Sequence, residues 1–475
     1  MLVALGLLWR PLSVFDQGIW GPADPWSNGD FLGAHWLFWA ATQPGEPTAL
    51  LNHPWGETPI LSSFPNPFDA WLLGPAVAQM SFPLWFNLMM LTHHLLNVAS
   101  TVVLARSAGA RTLHAAAAGA LVAATPLMLH EHTLGHTLTA AVWPGLLGLA
   151  ALLRGRDIQA GLWIALQGLA YLYAGLAVGL IALCLRPKRG LALAVLLILP
   201  YLYVLFPLLE AATATGPPAG FTALPLDALI WGSQQPQVRL HPLLLVGLLA
   251  PFVGAKSHQQ VRQRLGLVCW VLLLFSLGPV LVAQRGQEPI MGSPIQWILS
   301  IPGLSRMHHP IRLGMLATPL LGVCIAMMLH RRRAIWALLA LMSTAPTWKT
   351  IDNTVAWPSD PTPPGADAAQ WLAENATAVV DLGSHSMEAL ALQTIHKKPI
   401  LAGFHPRNHP RSGLDPTVFQ SVEAWSRGEV QPSLPATLRH LGYSHVIVID
   451  RGRSLNESAV ADQLGPPVHP GIYAL

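Results

Sequence analysis

The feature that most constrains this chain is where its basic residues fall between apolar segments. Apolar runs occupy roughly 1–15, 83–105, 112–129, 137–153, 158–172, 174–185, 190–209, 241–254, 265–283, 310–330 and 334–347. The connections after the second, fourth, sixth, eighth and tenth runs hold Arg106, Arg111, Arg154, Arg156, Arg186, Lys188, Arg189, Lys256, Arg262, Arg264, Arg331, Arg332 and Arg333. The opposite connections hold only Arg239, Arg285, Arg306 and Arg312, and 16–82 holds no Lys or Arg. This alternation is what helices threading a bilayer display, with the basic side in the cytoplasm. A single helix over 158–185 would break it, so a tight hairpin is expected around Tyr171–Ala174. Composition agrees: 11% of residues are charged and 52% hydrophobic, against about 25% charged in soluble domains. The eighteen Trp suit the membrane–water interface. The expected fold is mainly α: a polytopic transmembrane bundle of about eleven spans, several of them short and tolerable only when packed inside the bundle.

The first run, interrupted by Arg10 and Pro11, lacks a clean cleavage site. It reads as a short first membrane helix rather than a signal peptide, and leaves room for a start upstream of Met1. Near Thr347 the composition changes. WPSDPTPPG, from Trp357 to Gly365, is a proline-rich linker. Beyond it AVVDLG and HVIVID read as strands and Met387–Ile395 as a helix, enough for one small α/β domain. The expected partition is a transmembrane domain over 1–347 with an outer loop at 16–82, a linker over 348–366, and an extracytoplasmic α/β domain over 367–475. Cys184, Cys269 and Cys324 each lie in an apolar run without CxxC spacing and read as small buried hydrophobes.

Four stretches can carry chemistry. The loop 16–82 contains Asp16, Asp24, Asp30, Glu46, Glu57 and Asp69 without local basic partners, and acids so placed accept a proton or a cation where the fold gathers them. Asp30 stands five residues before His35, ahead of an apolar aromatic run, a context that equally suits a helix cap. LHEHTLGHT, from Leu129 to Thr137, brings His130, Glu131, His132 and His136 together. These residues suit a divalent cation or the lining of a substrate cavity, although the spacing matches no standard zinc pattern. IPGLSRMHHPIRLGML, from Ile301 to Leu316, carries Arg306, His308, His309 and Arg312 into an apolar run. Charges there persist where something anionic meets them, and a phosphate is one such group. Gln393 to Gly413 carries His396, His405, Arg407, His409 and Arg411 and reads as a solvated loop. No GxSxG or Walker-type loop is present, which argues against serine-nucleophile and ATP-driven chemistry. Nothing indicates nucleic-acid recognition.

Taken in order, GDFLGAHWLFWA at 29–40, HPWGETP at 53–59, LGHTLTAAVWPGLLGLAALLR at 134–154, IPGLSRMHHPIRLG at 301–314 and QTIHKKPILAGFHPR at 393–407 resemble the GT-C superfamily of polytopic membrane glycosyltransferases, bacterial members of unassigned substrate in particular. The resemblance implies an enzyme of the bacterial inner membrane and cell envelope. It would move a sugar from a polyprenyl-phosphate-linked donor to a glycan, lipid or protein acceptor on the extracytoplasmic face. It further implies that Asp30, with Asp24 second, serves as general base or holds a metal. Arg312, with Arg306, His308 and His309, would meet the donor phosphate, and His35, His132 and His136 would line the substrate site. A divalent cation is an optional cofactor. The family's Arg-x-Pro-x-Arg stands here as His308-His309-Pro310-Ile311-Arg312. That departure keeps a non-catalytic GT-C-like scaffold subunit as an alternative, beside a lipid or solute flippase. Trp26, Trp36 and Trp39 are expected to anchor the loop at headgroup depth or to stack on a sugar.

Overall fold

A computed structural model describes 82–133, 140–185, 242–253, 259–278, 312–328, 365–382, 386–401, 416–429, 431–448 and 457–475, with isolated positions between them such as Trp36, Phe38–Ala40, Leu50 and Asp69. The chain divides into two compact units. One comprises 1–25 with 83–358, the other 26–82 with 359–475. The boundary at Pro358 falls inside the proline-rich linker. The segment read as an outer loop of the first domain is grouped with the C-terminal residues.

The first unit is helical. Its elements are α1 (Phe82–Ser107), α2 (Thr112–Ala123), α3 (Pro126–Thr133), α4 (Trp143–Leu153), α5 (Asp157–Ala170), α6 (Leu172–Leu185), the one-turn α7 (Pro242–Leu245) leading into a 3-10 turn at Val246–Leu249, α8 (Gln259–Ser276) and α9 (Leu313–Met328). A two-residue antiparallel pair, β1 (Val280–Leu281) and β2 (Met291–Gly292), completes it. Among the described residues one helix, Leu84–Ser107, is long and apolar enough to cross a membrane; α2, α4, α6 and α9 are apolar but shorter.

Helix α9 is the core. Every residue from Leu313 to Met327 is buried, as expected of a helix apolar on all sides. It packs against α8, α2, α3, α7 and the 3-10 turn, while α4 packs on α5 and α6, and α6 on α8. Its one hydroxyl, Thr318 Oγ1, donates to the Gly314 carbonyl at 2.8 Å, so the apolar interior strands no polar group there. Small residues let neighbouring backbones approach, as helix association in lipid requires. A Cβ on Gly148 would meet Ile164 at 2.9 Å, and one on Gly175 would strike the Gly168 backbone.

The turns follow the sequence logic. Helices α1 and α2 are joined through Gly109 (φ 96°), and α4 and α5 through Gly155 (φ 75°). Only glycine adopts such left-handed backbone at little cost, which makes the arginine-bearing connections 106–111 and 154–156 very short. The expected break between the fifth and sixth runs falls at Tyr171, which is extended (φ −155°, ψ 106°). Helices α5 and α6 pack on each other from there. Arg264 Nη1 donates to the Cys184 and Leu185 carbonyls at 2.9 and 3.0 Å. That brings the start of α8 to the end of α6, as the charge alternation requires. One expectation fails: Cys184 is exposed, unlike Cys269 and Cys324, because it lines an open groove between α6 and α8.

The second unit holds α10 (Ala366–Asn375), β3 (Val379–Asp381), α11 (Ser386–His396), α12 (Pro416–Ser426), α13 (Leu434–His440), β4 (His445–Ile447), α14 (Glu457–Leu464) and β5 (Ile472–Ala474). The two strands and the helix expected from the sequence are present. The sheet order is β3-β4-β5. Strand β3 runs parallel to β4 with Val379 opposite His445, and β4 antiparallel to β5 with His445 opposite Ala474. Parallel neighbours need a crossover, and α11 to α13 lie within it. Its core holds Val380, Trp425, Leu438, Val446, Val460 and Tyr473. Tyr473 donates to Glu457 Oε1 at 2.8 Å. Burial first, and then that carboxylate, push the phenol up to about 12.

Gln393 joins 26–82 to this unit. Its Oε1 accepts from Trp36 Nε1 at 2.6 Å, and its Nε2 donates to the carbonyls of Leu50 and Lys398 at 2.6 and 2.9 Å. Ile400 N–H donates to the Leu50 carbonyl at 3.0 Å, and Ile400 bridges in parallel to Val379. The stretch read as a solvated loop from Gln393 therefore begins inside the protein. Gln393 and His396 are 0% and 3% exposed; positions 402–413 lie outside the described residues. The turn after α11 places Lys397 at φ 58°, and Lys398 N–H donates to His396 Nδ1 at 3.0 Å. Trp36 is also wholly buried, so the expectation that it faces the membrane edge or a sugar is corrected.

Gln393→Ala leaves the Trp36 indole N–H and two carbonyls without their buried partner. The expected loss is about 3 kcal/mol, read by denaturant unfolding, with faster amide exchange around Leu50 and Ile400. Burial, followed by the nearby Lys398 charge, pushes His396 down to about 3. The folded protein therefore holds this ring neutral while the unfolded chain protonates near pH 6.5. The stabilisation is complete above that pH and is lost as pH falls from 6.5 towards 3, with a slope approaching about 1.4 kcal/mol per pH unit. His396→Gln should remove that part of the slope in unfolding measured across the range.

Candidate functional site

In the helical unit, polar groups collect on α1. Asn87, His93, His94, Asn97, Ser100 and Thr101 are all buried, although the helix is otherwise apolar. Asn97 and His93 answer a break in the backbone ahead of α4, while Ser100 and Thr101 donate to the Asn97 carbonyl of their own helix. Asn97 Nδ2 donates to the Ala140 carbonyl at 2.6 Å, and its Oδ1 accepts from Val142 N–H at 3.1 Å. Gln167, from α5, donates to the Ala141 carbonyl at 2.8 Å and accepts from Gly145 N–H at 3.0 Å. Two carboxamides thus satisfy four backbone groups at and beside the two-residue break 141–142, which would otherwise stay unmet in the interior. His93 Nδ1 accepts from Trp143 Nε1 at 3.2 Å, and Trp143 lies edge-on to Trp163 at 5.7 Å. The clamp fixes the chain just after the histidine run 130–136.

Arg312 lies partly buried in the turn that opens α9. A cation here meets the positive end of the helix dipole, as well as low-dielectric surroundings. Both costs are reversed by an anion placed at the same point, where guanidinium and helix N–H groups act together.

The remaining expected residues are reached unevenly. His130 and His132 fall in α3, but their side chains lie outside the described residues. Asp24, Asp30, His35, His136, Arg306, His308 and His309 lie outside them altogether. Of the loop acids, Asp69 is described, in the second unit, and is wholly buried. Among the described residues no group of three or more His, Cys, Asp or Glu is arranged for a metal ion.

Sequence reasoning missed His93, His94 and Asn97. The available signal was polar side chains inside a long apolar run, which are costly in hydrocarbon unless they serve a purpose. It also missed an aromatic group in the second unit. Trp371 stacks on His469 at 5.5 Å and meets His445 edge-on at 5.4 Å. Burial holds His445 below its usual range, and its Nδ1 is 2.8 Å from Ser444 Oγ. Ser444 Oγ accepts from Thr377 N–H at 2.8 Å, so it ties β3 to β4; among the described residues no acid orients the pair as in a nucleophilic triad.

No protein-family model matches the chain, and no curated protein matches it in sequence. Solved structures do share its fold. Arabinofuranosyltransferase AftD from Mycobacteria aligns over 97% of this chain and 36% of its own, with a TM-score of 0.58 and 16% identity. The oligosaccharyltransferase of Archaeoglobus fulgidus, in its complex with zinc and sulfate, aligns over 94% of this chain and 67% of its own, with a TM-score of 0.54 and 14% identity. The same enzyme tethered to an acceptor peptide gives a TM-score of 0.56 at 12% identity. The chain thus spans little more than a third of the arabinofuranosyltransferase. The fold class is a mainly helical architecture with a small sheet, shared with enzymes that transfer sugars.

Asn97→Ala exposes the clamp to a direct check. Losing both bonds should cost about 2–3 kcal/mol, seen as a lower melting temperature in detergent. Asn97→Gln should not restore it, because the longer side chain cannot meet both groups.

Proposed function

We propose that this protein is an integral membrane glycosyltransferase that moves a sugar from a polyprenyl-phosphate-linked donor to an acceptor on the extracytoplasmic face. The observation that carries this reading is the fold likeness over 94–97% of the chain to two sugar-transferring enzymes. Agreement of the motif order with the GT-C pattern supports it.

The chemistry follows from the donor's form. Its lipid tail stays in the bilayer, so the bond to be broken lies at the membrane edge. Transfer there needs a base close to the acceptor hydroxyl and positive charge on the departing phosphate. Asp30, with Asp24 as second candidate, is the proposed base. It stands in a segment with no Lys or Arg to neutralise it. Arg312 at the head of α9 is the proposed phosphate contact, with Arg306, His308 and His309 preceding it in sequence. The α1 carboxamide clamp would hold the neighbouring histidine run, and so His132 and His136, in register with the substrate. A divalent cation held by the loop acids or by that run would supply further charge neutralisation.

His308 in place of the family's first arginine favours a second reading, a scaffold subunit that keeps the fold without turnover. Reconstituted protein with a polyprenyl-phosphate sugar separates the two. Asp30→Asn should lower kcat by at least ~100-fold, and Arg312→Ala should raise KM for the donor by about tenfold. Transfer unchanged in Asp30→Asn would remove that carboxylate from the mechanism. Wild-type protein with no transfer to any acceptor, while still assembling with partner proteins, would favour the scaffold.

A further inference from the structure

Helices α6 and α8 leave an apolar groove between them that the proposed chemistry does not use. Its volume is about 440 Å³. Tyr173, Ala177 and Leu180 of α6 face Leu267, Val271 and Phe275 of α8 across it, with Leu313 also in the lining. Leu180, Leu267 and Val271 are exposed, so the groove is open along its side. Arg264 is the one charged residue in the lining, and it lies at the end marked by Cys184.

Three features together identify an occupant. The first is length. From Tyr173 to Cys184, and from Phe275 back to Arg264, the groove runs about 16 Å at ~1.5 Å per helical residue. That is close to half of the ~30 Å hydrocarbon core, one leaflet's depth. The second is polarity: a hydrocarbon lining that ends in a single guanidinium. Arg264 uses one nitrogen, Nη1, on the Cys184 and Leu185 carbonyls. A guanidinium has five N–H donors, so Nε and Nη2 stay available to an anion while Nη1 fixes the group in place. The third is setting. Arg186, Lys188 and Arg189 directly follow α6 in the sequence, which makes this the most basic end of the bundle. Basic pockets of this kind between spans attract anionic headgroups.

We propose that the groove holds one chain of an anionic phospholipid drawn from the leaflet on the arginine-rich side, with the phosphate received by Arg264. The lipid completes the packing between α6 and α8 along the open side of the groove, beyond the contacts the two helices already make. The site requires that the helical unit sit in a bilayer, and is independent of whether the protein transfers sugar.

The test uses the full chain, purified in detergent and stripped of lipid, then titrated separately with palmitoyl-oleoyl phosphatidylglycerol and the matching phosphatidylcholine under native mass spectrometry. One phosphatidylglycerol should bind about fivefold more tightly than phosphatidylcholine, the advantage expected of one basic residue at an anionic headgroup. Arg264→Gln should abolish the preference. Ala177→Phe fills the groove without touching the Arg264 bonds, and should weaken uptake of both lipids while leaving the melting temperature of the stripped protein unchanged or higher. Equal uptake of the two lipids by wild type, or undiminished phosphatidylglycerol binding in Ala177→Phe, overturns the proposal.

Discussion

A chain that leaves helical geometry inside an apolar interior must still have its backbone N–H and C=O groups answered, and this protein does so with buried carboxamides. Asn97 and Gln167 hold 140–145 in the helical unit; Gln393 holds Trp36, Leu50 and the turn after α11 in the other. A carboxamide offers donors and an acceptor on one short, uncharged side chain. It can meet two or three opposed backbone groups without the desolvation cost of an ion. Asn97 and Gln167 permit the break at 141–142, where an apolar helix would otherwise run on, and Gln393 anchors Trp36 and Leu50 beside the end of α11.

The two units use different means around that shared device. The helical unit relies on close backbone approach at glycine and on α9, which is buried on every side. The second unit relies on a small sheet whose parallel and antiparallel halves meet on β4. Arg312 belongs to the first unit and the acids of 26–82 to the second.

Much of the fold was legible in the sequence, for physical reasons. The arginine alternation marked the short connections at Gly109 and Gly155, since basic residues and helix ends coincide there. The break at Tyr171 followed from the same charges, and AVVDLG and HVIVID declared themselves by β-branched runs. What could not be read depends on distance along the chain. No local pattern joins Trp36 to Gln393, so a wholly buried indole looked like an interfacial one and a buried turn looked like a solvated loop. Asn97 and Gln167 were equally hidden, because a polar residue in an apolar run carries no mark of which backbone it will meet. Of the proposed site, Arg312 stands in the sequence as a charge carried into an apolar run, and the acids as carboxylates without basic neighbours; their roles are proposals that local pattern alone does not decide.

The Gln393 clip also sets an order of events during synthesis. Trp36 and its partner are 357 residues apart. At ribosomal rates of about 5–20 residues per second, the acid-bearing segment waits roughly 20–70 s for the residue that anchors it. Throughout that interval the helical unit is made while Trp36 and Leu50 await their partner. Long-range closure of this kind is slow, so the segment is a natural client for chaperones and a natural target for proteases until the last quarter of the chain emerges.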